Sequence, residues 1–596
     1  MRTRPPLDHR GNRIVWKKRA ARVVTAVFTA TLIAACHSSH SGERRPSPPY
    51  NVLLISIDTV RQDVLSCYGH RARRAPGVPT TPNLDAFAAM GVRMVDAYAS
   101  SSWTLPSHLS MMTGQTPLVH GVDIDQQALA GPEPTLAEIL RGHGYRTRGV
   151  FSGPYLDPTW GFGRGYERYR GVYGGHTNAA IERFARDEAN VEADMGRAMA
   201  GADHDGLESS VRTRRMIRGA LDREWTRDVS SNEVTAAVLE DLRELSVQDH
   251  PWLLFAHYFD AHEDYVPPPP FETRFDPDYT GPVTGKHVLG NPLLRTRAPG
   301  NGGRLVRRAS DRDLEHVIAL YEGEVAWVDD HLGKVLRELD ARGVADRTLV
   351  IVVSDHGEEF FEHGGLGHRH TLFEESLRVP MLLRLPGVLP SGRTVRGVVS
   401  VADLLPTILD ILGLSELSGW VGSTSFVPLM EGREDGSRRT IFARHVTFAN
   451  GIAEIGSLTI PAREVTVSET FRRGSIKVTR TRRWPQFATA PQDVVPVLEA
   501  EAEAQYGHED LRWIDAQRFP SEPADAHSVE FGDATVRAVL DAFRDEYARS
   551  ARLRRHIARP QVAPQIQSAL RALGYVEGDA DPEPDRNAFV LPPPGG

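Results

Sequence analysis

The chain has 596 residues, 40% hydrophobic and 25% charged, the make-up of a globular protein too long for one ordinary domain. A formal net charge of -8 excludes an electrostatic grip on nucleic acid, and two cysteines in the whole chain exclude a disulfide framework. Stability must come from an apolar core.

Between Arg2 and Arg22 stand eight Lys or Arg against Asp8 alone, and the apolar run VVTAVFTATLIAA follows. That is the n-region and h-region of a signal peptide, and the run is too short to span a bilayer as a helix. It ends in Ile33, Ala34, Ala35 and Cys36, which resembles the lipobox of bacterial lipoproteins. The resemblance implies that residues 1–35 are removed and that Cys36 carries lipid. The protein is then anchored in the bacterial cell envelope, on the periplasmic face or, since His37 rather than Asp follows, at the outer membrane. Loss of those eight positive charges and one negative charge takes the net charge to -15. Residues 36–50 are polar and Pro-rich and read as a tether.

NVLLISI (51–57) is a continuous apolar run of strand length, and RGVFS (148–152), WLLFAHYF (252–259), TLVIVVS (348–354) and PMLLRL (380–385) are further strand-like runs. Helical patterns lie between them: TPNLDAFAAMG, TLAEILRGHG, SNEVTAAVLEDLREL and HVIALYEGEVAWVDDHLGKVLRELDARG. Strands alternating with helices predict an α/β domain over 51–415, with a central, mostly parallel sheet flanked by helices. Residues 171–228 and 277–308 break the rhythm and read as insertions, the second a Pro- and Gly-punctuated loop. Beyond 415 the pattern turns to short alternating runs, then to helices at 533–552 and 564–573. This predicts a smaller C-terminal α+β subdomain over 416–578 and a disordered tail over 579–596. Cys67 reads as a small hydrophobe rather than a reactive thiol.

Chemistry in such sheets gathers at the carboxyl ends of the strands. Asp58 ends the first strand, and Asp355 with His356 ends another. Two carboxylates and an imidazole are ligands for a divalent cation, and the imidazole favours zinc or manganese, with calcium the remaining candidate. In SSWTLPSHLSMMTG, Pro106 suits the first turn of a helix and pushes Leu105 out of the α region. The helix N-terminus then faces Thr104 and stabilises negative charge there. As an isolated residue Thr104 is equally a cap; beside a metal cluster it is a nucleophile.

NVLLISIDTVRQDVLSCYG, TLPSHLSMMTGQTPLVHGV, HYFDAHEDYVPP, SDHGEEFFEHGGLGH and TLFEESLRVPMLLRLPG, in that order, resemble the sulfatase family of the alkaline phosphatase superfamily, as do ADLLPTILDILGL and ALRALGYV near the end. The resemblance spans about residues 50–578 outside the two insertions and implies an alkaline-phosphatase-like sandwich with a smaller C-terminal subdomain. Its departures bear on the chemistry. The family's Cys-x-Pro-Ser-Arg frame, whose Cys becomes formylglycine, reads Thr104, Leu105, Pro106, Ser107 and His108, so no formylglycine forms. A Lys and a His expected after GYRT are replaced near Ser152 and Pro154, and the usual second Asp after Asp58 is Thr59.

The resemblance assigns Asp58, Asp355, His356 and Thr104 to the metal, Thr104 to nucleophilic attack, and His262 and His368 to the bound anion or the leaving oxygen. His108, His363 and His370 are secondary candidates for substrate binding. The implied function is metal-dependent hydrolysis of sulfate or phosphate esters on small molecules, glycans or lipids, through a covalent Thr ester. Two alternatives stay open: an envelope phosphotransferase passing a head group to a lipid or glycan, and a silent lipoprotein that binds an anionic glycan.

Overall fold

The computed structural model describes residues 48–172, 230–297, 305–484, 508–515, 527–528 and 557–558, except 124–126, 130, 132, 420, 456–457 and 474–475. The signal segment with Cys36, most of the tether, nearly all of the 171–228 insertion, the helices expected at 533–552 and 564–573, and the tail lie outside these residues. No helix among the described residues is long and apolar enough to cross a membrane.

The central sheet has eight strands: β1 (Asn51–Ile57), β2 (Val92–Met94), β3 (Arg146–Phe151), β4 (Arg168–Gly171), β5 (Trp252–Tyr258), β6 (Thr348–Ser354), β7 (Met381–Arg384) and β8 (Arg393–Val395). Their order is β8-β2-β7-β6-β1-β5-β3-β4, and β7 alone runs antiparallel to its neighbours. Every residue of β1, β5 and β6 is buried, which is why these strands read as unbroken apolar runs.

Alternation in β1 divides the core. Val52 and Leu54 pack with Leu105, Leu109 and Ile408 on one face, while Leu53, Ile55 and Ile57 pack with Val238, Val325 and Leu332 on the other. The first face carries helices α2 (Thr104–Thr113) and α6 (Leu404–Ile411). The second carries α1 (Pro82–Ala89), α4 (Ser231–Leu245) and the long α5 (Asp311–Ala341); α3 (Leu136–Gly142) opens on a capping box between Thr135 and Glu138.

Tyr50, the last tether residue, is already buried in the first core. The 277–308 segment carries a short hairpin, Arg295–Arg297 against Leu305–Arg307. Beyond 415, Phe426, Leu429, Met430, Ile441 and Ala443 join the same core, and a five-stranded antiparallel sheet begins at Thr440–Ile455. Cys67 is half-buried against the second core, and burial pushes its thiol up to about 12, out of reactive range.

Candidate active site

Ile57 pairs with Ser354 and with Tyr258, so the three central strands end on one rung. Asp58 and Asp355 leave that rung together and His356 follows. One ligand atom from each lies within 4.8 Å of the others, and all three are fully buried. His356 Nε2 is 3.5 Å from Asp58 Oδ1 and 3.4 Å from Asp355 Oδ2, while its Nδ1 donates to the Gly357 carbonyl at 3.1 Å. Asp58 Oδ1 and Asp355 Oδ2 are buried and make no hydrogen bond.

Burial and then the charge of Asp355 push the Asp58 carboxyl well above its ordinary range. Burial also acts to raise Asp355, but His356 and His108 more than offset it and hold that carboxyl low. Burial pulls His356 down to about 3, leaving a neutral imidazole whose Nδ1 holds the proton against Gly357 and whose Nε2 carries the lone pair. Two buried carboxylates, each with an oxygen that accepts no hydrogen bond, beside a neutral imidazole are a donor set that fits a divalent cation.

Thr104 opens α2, whose ten residues are all buried. Its Oγ1 lies 3.3 Å from His356 Nε2 and 3.5 Å from Asp58 Oδ2. The helix starts two residues earlier than the Pro106 rule predicts: Leu105 is helical, and Pro106 is the third residue. Pro106 costs nothing there, because first-turn N–H groups have no intrahelical acceptor; the first bond runs from Ser107 N to the Trp103 carbonyl.

His108, one turn along, is buried with Nδ1 3.0 Å from the Thr104 carbonyl and 3.3 Å from Asp355 Oδ2, and Nε2 2.8 Å from Ser56 Oγ. It braces the helix against the carboxylates. Thr59 has φ of +53° and turns its hydroxyl to the Ala261 carbonyl at 2.6 Å, tying β1 to the loop that carries His262.

His262 and His368 meet with ring centroids 4.8 Å apart, and His368 is 4.7 Å from His356. Glu263 joins them in a second close group of possible metal ligands. His363 is stacked on Phe373 and lies 3.2 Å from Glu375 Oε2, while His370 lies 3.3 Å from Glu359 Oε1 and is about a third exposed. These contacts engage both in the loop region following Glu358.

Sequence reasoning missed His257, Glu263, Glu358 and Arg369. His257 Nε2 lies 3.3 Å from Asp58 Oδ2 and its Nδ1 2.6 Å from the carbonyl of Ser152, one of the positions that departs from the family pattern. Arg369 stacks its guanidinium 4.1 Å from the ring centroid of Trp103, next to Thr104, and donates to the Tyr155 hydroxyl at 2.9 Å. A His inside an apolar strand and the Glu of SDHGEE were the available signals.

Residues 50–414 match the family model described as Sulfatase. The chain is 26% identical over 434 residues to steryl-sulfatase of Rattus norvegicus, covering 62% of this chain and 68% of that protein. It is 25% identical over 412 residues to choline-sulfatase of Rhizobium meliloti, covering 64% and 72%. Among solved structures, the phosphonate monoester hydrolase of Agrobacterium radiobacter superposes with a TM-score of 0.53 at 20% identity, over 84% of this chain and 96% of that one, a likeness of fold. With a family match over more than half of its length and a mostly parallel sheet gathering the site at its carboxyl edge, the chain belongs to the sulfatase family of the alkaline phosphatase-like superfamily and is an ester hydrolase of that family.

Proposed function

We propose that the protein hydrolyses sulfate or phosphate esters through a covalent ester on Thr104. The observation that carries this reading is the Thr104 hydroxyl at a helix start, 3.3 Å from His356 and 3.5 Å from Asp58. Asp58, Asp355, His356 and Thr104 would hold a divalent cation of the zinc or manganese class. Bound there, it would supply positive charge that eases deprotonation of Thr104 and offsets the ester's anionic charge.

The chain's own residues do the rest. The Thr104 proton passes to solvent, and the oxygen, stabilised by the helix N-terminus, attacks phosphorus or sulfur in line. As that bond forms, the bond to the leaving oxygen breaks, and His262 or His368 protonates the departing alcohol. Water then attacks the phosphorus or sulfur of the Thr104 ester as the bond from that atom to the Thr104 oxygen breaks; one water proton returns to the histidine that protonated the alcohol, the oxyanion leaves, and Thr104 is again the deprotonated nucleophile. A formylglycine hydrate discharges its ester by collapse to an aldehyde; a threonine ester has no such path, so hydrolysis at the central atom is required.

The substrate belongs to the small-molecule or glycan ester class that the relatives' names support, and anchoring through Cys36 would place the enzyme in the cell envelope. The test is metal analysis of the purified protein alongside aryl sulfate, phosphate monoester, phosphodiester and phosphonate substrates. Turnover of at least one class by metal-loaded protein supports the reading; metal-loaded protein inert towards all four counts against it.

A further inference from the structure

From Gly285 to Arg308 the sequence holds six Lys or Arg and no Asp or Glu, in a chain whose net charge is -8. The first residues of this segment lie against the loops that carry His262 and His368. The Gly285 carbonyl accepts the Tyr265 N–H at 2.9 Å, and the Asp264 carboxylate accepts the N–H of His287 at 2.5 Å and that of Val288 at 2.8 Å. The backbones approach so closely that a Cβ on Gly285 would stand 1.6 Å from the Tyr265 carbonyl oxygen. Leu289 reaches the other loop, with its Cδ2 2.7 Å from where a Cβ on Gly367 would lie, one residue before His368.

Val283, Val288 and Leu294 are buried in the second core and hold the segment down as a strap. His287 has φ of +53°, in the left-handed region, and its bond to Asp264 fixes that turn. Between the bonds to Tyr265 and Asp264 stands Lys286, which is exposed. Arg308 is exposed too and donates to the Pro292 carbonyl at 3.2 Å. Arg307 is paired with Asp311 at 2.5 Å, whereas no carboxylate among the described residues pairs with Lys286 or Arg308. Positive charge on a fixed backbone attracts an anion over about one Debye length, roughly 10 Å at 0.1 M salt. Leu293 and Val306 on the same strap are 39% and 36% exposed, single apolar residues too small to wedge a bilayer.

We propose that this strap selects esters whose alcohol portion carries further anionic groups, so that the substrate is a glycan bearing more than one sulfate, phosphate or carboxylate. The inference rests on the hydrolysis proposed above, in which His262 and His368 stand at the leaving oxygen. The alcohol portion extends from that oxygen toward residues 264–265 and 367, the positions that the strap borders. Lys286 receives the anionic group nearest the reacting ester, and Arg308, at the foot of the Arg295–Arg297 and Leu305–Arg307 hairpin, receives one further along the chain. A chain with repeated anionic groups matches cations set apart along the strap; a compact monoanion engages none of them.

The full chain with Cys36→Ser serves as parent, and Lys286→Glu and Arg308→Glu are added singly and together, with melting temperatures measured in parallel. Phenyl and 4-sulfophenyl esters of sulfate and phosphate differ only in the anion on the alcohol portion. A labelled dextran sulfate oligosaccharide reports binding by anisotropy, without turnover. The expected result is a 4-sulfophenyl-to-phenyl ratio of kcat/KM that falls roughly 10-fold in the double variant, through KM, and by less in each single variant. In the parent the same ratio should shrink at about 0.5 M salt. The oligosaccharide should compete with the esters for the parent and bind the double variant roughly 10-fold more weakly. Equal losses on both esters, or an unmoved ratio, in folded variants would overturn the proposal. So would binding to phosphatidylglycerol vesicles that the double variant loses while its ester ratio and oligosaccharide binding hold, which assigns the strap to a membrane surface. A parent inert towards every ester counts against the proposed hydrolysis; oligosaccharide binding then decides the strap alone, supporting it if the double variant loses affinity and overturning it if not.

Discussion

Asp58 and Asp355 sit side by side because Ile57 and Ser354, the residues before them, are direct partners in a parallel ladder. Burial first, and then repulsion between the two carboxylates, push the Asp58 carboxyl well above its ordinary range. A divalent cation relieves the repulsion. Asp355→Ala is therefore expected to lose the bound metal and turnover together, read by elemental analysis and by kcat on the best substrate of the panel. Retention of full metal content in that variant would show that the cation sits elsewhere.

Glu324 should act at a distance on the same site. From α5 it accepts the Ala261 N–H at 2.9 Å and the Val266 N–H at 2.6 Å, bracketing the loop that carries His262. Ala261 has φ of +83°, a conformation that costs about 1–3 kcal/mol unless its surroundings impose it. Glu324→Gln leaves one of the two N–H groups poorly paired, at about 1–3 kcal/mol of stability. The expectation is a lower melting temperature and a kcat down roughly 10- to 100-fold from displaced side chains, with the Asp58 metal retained. An unchanged kcat would show that the loop holds its shape without Glu324.

Asp276 links stability to pH. Its buried carboxylate receives two hydrogen bonds from Arg312 at 2.6 and 2.7 Å and lies 2.9 Å from His316 Nδ1. Burial acts to raise it, but the bonds from Arg312 and His316 win and hold it below its ordinary 3.8. A carboxyl depressed on folding adds stability that is fully present above the unfolded value and is lost as pH falls through the folded one. Asp276→Asn is thus expected to cost about 1–3 kcal/mol at neutral pH, with the gap to wild type closing below about pH 4. Denaturant midpoints at pH 7 and pH 3 measure it, and a gap independent of pH would contradict the assignment.

Anchoring is tested by Cys36→Ser. The variant should leave the membrane fraction and remain folded and active, since the described core begins near Tyr50. Wild-type protein recovered soluble with no lipid on Cys36 would remove the envelope location from the proposal.

The sequence exposes the carboxylates and hides their supports, for physical reasons. Asp58 and Asp355 each close a run of seven buried residues, so the abrupt charge at a strand end is visible without coordinates. Thr104 is visible through the proline two residues on, although the rule that a residue before proline avoids the α region fails for Leu105 inside the first turn. His257 looks like a core position because it sits inside the fully buried strand WLLFAHY. Glu358 meets His368 ten residues later because the short strands Glu359–Phe360 and Leu366–Gly367 pair antiparallel between them, and two-residue strands are too short to show an alternating period. Ties such as Thr59 to Ala261 join residues 202 apart and depend on the finished packing of the sheet.

The central claim is that Thr104 carries the transferred group. Intact-protein and peptide mass spectrometry of quenched reactions tests it most directly, alongside Thr104→Ser, which should keep part of the activity, and Thr104→Ala, which should lose roughly 10³-fold or more in kcat while still folding. The account predicts a transient adduct on the peptide containing Thr104, of phosphoryl, substituted phosphoryl or sulfuryl mass, absent from Thr104→Ala. An unmodified Thr104 peptide throughout turnover, with Thr104→Ala as fast as wild type, would contradict it and reduce Thr104 to the first residue of a helix.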